Sequence, residues 1–147
     1  RGPLAAFPAH WAPNDLLFYY GPQFPTAYQG GAFIVFHGSW NRAPSPQGGY
    51  NVVFQPFVDG KPAGKYVVLV DGFAGAVKEP GRAAHRPSGL AVGPDGALYV
   101  SGPANGSSPT AGGNQGAGWL ARVDMAGESS GTPMAAAVCE TMATPAA

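Results

Sequence analysis

Residues 86–101 read RPSGLAVGPDGALYVS, and they constrain the fold more than any other stretch. Leu90, Val92, Leu98 and Val100 alternate with small or polar residues, the period-two pattern of half-buried strands. Between them Pro94-Asp95-Gly96 is turn chemistry: Pro presets φ, Asp bonds its own backbone, and Gly takes the positive-φ position. A hairpin this short buries too little apolar surface to stand alone in water. It demands neighbours.

The rest of the chain supplies them. Residues 32–36 (AFIVF) form a continuous β-prone apolar run, the signature of a buried strand. Further strands are expected over residues 16–20, 50–57, 66–70 and 119–123. Asp59-Gly60 and Asp71-Gly72 break the runs. Prolines at 8, 13, 22 and 25 exclude a helix from the aromatic-rich segment 7–30. With 23 Gly and 16 Pro and no long helical pattern, the chain reads as all-β.

Strand and turn alternating at about ten-residue spacing suit a sandwich, barrel or propeller, and a propeller is the preferred architecture. Residues 1–101 would make a partial propeller of about two blades, too few to close a ring. Residues 102–118 are expected to be a flexible loop or insertion, 119–125 a possible last strand, and 126–147 a disordered tail.

Eight basic and eight acidic residues leave no net charge, which argues against a nucleic-acid partner. One cysteine, Cys139, excludes an intramolecular disulfide and a multi-cysteine zinc site. No apolar run is long enough to span a bilayer. The chain carries no signal-peptide pattern, and its start reads as cut from something longer.

Polar chemistry gathers at the end of the 32–36 strand, in residues 37–42 (HGSWNR), and at Arg86 before the hairpin. A guanidinium fork matches a carboxylate, so Arg86 is a candidate ligand residue; a structural salt bridge is the alternative. His37 and Arg42 are further candidates at the same strand end, with loop packing as their alternative. Trp11 is a candidate stacking platform for a ligand, although aromatic clusters more often form core. His10 is a lesser candidate beside it. His10, His37 and His85 lack metal-ligand spacing, and Ser39 lacks the second Gly of a nucleophile elbow.

The segments 9–13 (AHWAP), 31–42 (GAFIVFHGSWNR), 49–53 (GYNVV), 59–62 (DGKP) and 86–101 together resemble the C-terminal part of the sorbosone/glucose dehydrogenases. The resemblance implies a six-bladed β-propeller and a sugar dehydrogenase using pyrroloquinoline quinone (PQQ) and Ca²⁺. It implies Arg86, His37 and Arg42 as cofactor-binding residues and Trp11 and His10 as substrate-binding ones. The histidine base and the calcium ligands would lie outside this chain, leaving no catalytic or metal residue in it. A sugar substrate, an electron acceptor such as a cytochrome or quinone, and a periplasmic or secreted location follow from the same resemblance. Cys139 lacks the second Cys and the His of a haem site. The competing reading is a non-catalytic propeller module that binds carbohydrate or protein.

Overall fold

The computed structural model describes residues 2–103, 118–125 and 140–141. Two four-stranded antiparallel sheets and one two-stranded hairpin make up the fold. The first sheet joins β1 (Pro13–Phe18), β2 (Ala32–Phe36), β3 (Asn51–Gln55) and β6 (Val67–Val70) in that order. Between β3 and β6 the chain makes the small hairpin of β4 (Phe57–Val58) and β5 (Lys61–Pro62). Asp59 and Gly60 both take positive φ there, the mirror-image turn that suits the twist of adjoining strands. The second sheet joins β7 (Gly89–Val92), β8 (Leu98–Pro103), β9 (Gly118–Val123) and β10 (Glu140–Thr141).

β2 earns its place at the centre because it is apolar on both faces. Phe33 and Val35 enter the main core with Tyr19, Phe24, Val52, Phe54 and Phe73. Leu98, Val100 and Val123 of the second sheet close that core from the other side. Burying each such side chain stabilises by about 1.5–3 kcal/mol. Ala32, Ile34 and Phe36 point the opposite way and pack with Val53 under Phe7, Trp11, Phe57 and Tyr66.

The hairpin of β7 and β8 closes as its sequence dictates, with Gly96 at φ 82° and Asp95 Oδ1 accepting from Ala97 N–H at 3.1 Å. Tyr19, wholly buried, ties this turn to the first sheet. Its hydroxyl donates to the Gly96 carbonyl at 2.7 Å and accepts from Gln23 and Phe24 N–H. A buried phenol is stable only with such partners.

The all-β expectation holds. The finer expectation of a propeller is not reached: the described residues form three antiparallel sheets, with no closed barrel or ring among them. β1 pairs with β2 along its length and so forms the first strand of its sheet. Residues 104–117, from the expected flexible loop, and 126–139 and 142–147, from the expected tail, lie outside the described residues. Within that tail Glu140 and Thr141 pair with Arg122 and Ala121 as β10.

Candidate functional site

The start of β1, the end of β2, the start of β3 and the start of β7 meet at one end of the molecule. Asp15 of β1 secures the junction by accepting from Leu90 N–H of β7 at 2.8 Å. His37 leaves β2 there, and Arg86 and Pro87 lead into β7 there. The sequence-predicted residues His10, Trp11, His37, Arg42 and Arg86 therefore all fall at this end, but they do not form one cluster.

His37 and Arg86 do come together. Arg86 is 7% exposed; its Nη2 donates to the Gly38 carbonyl at 2.7 Å and its Nε to the His37 carbonyl at 3.4 Å. The guanidinium carbon lies 5.3 Å from the Trp40 ring and 5.5 Å from the Tyr50 ring. Cation–π contacts of this kind contribute about 0.5–2 kcal/mol. No carboxylate of the described residues reaches ion-pair distance. Among the described residues, this nearly buried cation has no counter-ion.

His37 is half-buried, and its Nδ1 lies 3.2 Å from the Pro87 carbonyl. A carbonyl can only accept, so in the neutral ring Nδ1 carries the proton and Nε2 keeps a free lone pair. Burial and then the Arg86 charge push the imidazole below its ordinary value near 6.5, and the Pro87 bond offsets part of this. Burial raises the Tyr50 phenol, with Arg86 pulling the other way.

Glycines let the loop fold this tightly. Gly38 sits at φ 100°, and a Cβ there would lie 2.5 Å from the Tyr50 ring. Gly49, at φ 83°, would bring a Cβ to 2.9 Å from the Gly38 Cα. Ser39 is wholly buried: its hydroxyl bonds Gln47 and accepts from Gly48 N–H, and its carbonyl accepts from Tyr50. Ser39 is a clamp for the loop.

Arg42 and Trp11 flank a second spot, since a Cβ on Gly48 would meet both Trp11 Nε1 and Arg42 Nη1. Trp11 packs edge-on against Phe36 and Tyr66, and its Nε1 is buried without a partner among the described residues. His10 is exposed, at φ 65°, in the turn before β1. Sequence reasoning passed over Trp40, which is 60% exposed above Arg86. The signal was its place in HGSWNR, where a large aromatic stands between residues that could both hold a ligand.

A family model described as TrAA12-like matches residues 1–107. A protein of Borreliella burgdorferi, described as uncharacterized, is 54% identical over 41 residues. That segment is 28% of this chain and 11% of the relative, so the chain spans only a small part of the relative's length. No solved structure matches the chain. These findings overturn the resemblance to sorbosone/glucose dehydrogenases: the family that matches is the TrAA12-like one. The expected PQQ-dependent sugar dehydrogenase activity, and with it the quinoprotein assignment, is corrected accordingly. Among the described residues no helix is long and apolar enough to cross a membrane.

Proposed function

The chain belongs to the TrAA12-like family, and on that premise we propose that it is a β-sheet binding module whose His37–Arg86 end takes a small carboxylate ligand. One observation carries the reading: Arg86 is 7% exposed and faces no acid among the described residues. Buried charges are normally paired, because desolvating one costs several kcal/mol. Two carbonyls and two aromatic faces offset part of that cost, and a carboxylate would complete it with charge-assisted hydrogen bonds. Trp40, exposed beside the guanidinium, offers a flat apolar wall for the body of the ligand.

The finer architecture belongs to the same proposal. Each four-stranded sheet is an antiparallel meander in chain order, and the two share one core, as consecutive propeller blades do. On the outward face of the first sheet Leu16, Phe18 and Val68 remain 44–50% exposed. A further blade packed there would cover them.

Calorimetric titration with succinate and, as a neutral control, succinamide tests the binding reading. Saturable heat with succinate, weaker at high salt and absent with succinamide, is the expected result. Equal behaviour of the two compounds would return Arg86 to the role of a loop pin.

A further inference from the structure

The outward face of the first sheet is covered over part of its area by residues 2–12, which run across it ahead of β1. Two aromatic side chains hold them there. The Phe7 ring lies 5.0 Å from both Phe36 and Tyr66, and the Trp11 ring lies 5.4 Å from Phe36 and 6.2 Å from Tyr66. Among the described residues no backbone hydrogen bond joins residues 2–10 to a sheet. The backbone anchorage is two carbonyls: Trp11 accepts from Gly38 N–H at 3.0 Å and Ala12 from His37 N–H at 2.8 Å.

That hold is opposed from within. His10 and Ala12, on either side of Trp11, take φ of 65° and 58°, the left-handed region where a Cβ crowds the following carbonyl. Trp11 Nε1, which can only donate, is buried without a partner among the described residues. Asn51 stands opposite Phe36 in the β2–β3 register, so its side chain shares the covered face. Its Oδ1 is likewise buried and unpartnered among the described residues. A donor and an acceptor are kept dry under the closed segment, and both regain water when it lifts. We infer that residues 2–12 are a hinged strap, which swings about His10–Ala12 and opens without the sheets unfolding. Opening trades the aromatic contacts against relief of two strained residues and rehydration of two polar atoms. It uncovers Phe36 and Tyr66 and withdraws both carbonyls from the start of the loop after β2. The strap does not depend on what the molecule binds.

Native-state hydrogen exchange of the purified protein at low denaturant tests the strap. The His37 and Gly38 amides report on it, because their acceptors are strap carbonyls. They should exchange at least about tenfold faster than amides at the centre of β2 and β3, with little dependence on denaturant, the mark of a local opening. Ala12→Gly should slow their exchange about three- to fivefold, because glycine takes that φ without a Cβ penalty. Trp11→Ala should speed it by about tenfold or more, since one of the two ring anchors on Phe36 and Tyr66 is lost. Exchange of both amides at the core's rate, with the core's denaturant slope, would overturn the strap, because they would then open only with the whole molecule. Unchanged or faster exchange in Ala12→Gly would overturn the hinge.

Discussion

Two arginines at opposite ends of the second sheet solve the same problem differently. Arg122 of β9 is about one-third exposed and is bracketed by two acids. Its Nη2 reaches Asp95 at 2.8 Å, its Nη1 pairs with Asp124, and Gln23 Nε2 donates to Asp124 at 2.7 Å. The guanidinium holds the Asp95 carboxyl below the usual range, and Asp95 in turn raises Arg122. Arg86 is buried and has backbone carbonyls and aromatic rings in place of acids. One cation is paired within the chain; the other is solvated by dipoles and meets no acid among the described residues. That difference, more than any motif, singles out the Arg86 end for the proposed binding role.

The largest effect should come from the loop that shapes the Arg86 end. Gly38→Ala forces a Cβ into the Tyr50 ring at a φ that side chains rarely adopt. A loss of about 2–5 kcal/mol in denaturant unfolding is expected from strain and overpacking. A cost near zero would mean the loop is looser than its contacts indicate.

Next comes Arg86→Met, which leaves the His37 and Gly38 carbonyls without their donor. Unfolding should show a loss of about 2–3 kcal/mol, the scale of hydrogen bonds to a charged group. Arg86→Lys should fall between wild type and Met, since it restores charge without the fork.

A smaller, pH-dependent effect should come from His37. Its folded value is depressed, so below about pH 6.5 the unfolded chain binds more protons than the folded one. Stability should therefore be unaffected by His37 above that pH and decline as pH falls below it. His37→Phe should flatten that part of the stability–pH curve relative to wild type. An unchanged slope would remove burial and Arg86 as the causes of the depression.

The smallest effect is assigned to Arg122→Met. Exposed ion pairs are screened by water and salt, so any change in melting temperature should be slight and should disappear at high ionic strength. A loss as large as that of Arg86→Met would break the comparison.

The strands were legible because their signals are local. β2 is a five-residue apolar run, and Pro94-Asp95-Gly96 carries its turn in its own chemistry. Arg86 and His37 were legible as polar residues at strand ends. What local pattern could not supply was contact across 48 or 49 residues of chain, which is how Arg86 reaches the Gly38 and His37 carbonyls. The same blindness hid Trp40 and Tyr50 as faces for the guanidinium. Nor could local pattern supply the edge-on packing of the Trp11 ring on Phe36 and Tyr66. The dehydrogenase reading came from motif likeness in several segments, HGSWNR among them, and part of that motif is structural here: Gly38 and Ser39 shape and clamp the loop.

One measurement tests the central claim most directly: succinate affinity of the wild type, Arg86→Met and Arg122→Met, side by side at one salt concentration. The charge-assisted bonds at stake predict a ten- to hundredfold weakening in Arg86→Met, from about 1.5–3 kcal/mol. Arg122→Met should bind as wild type does. Equal affinity in wild type and Arg86→Met, with Arg86→Met still folded, would contradict the account.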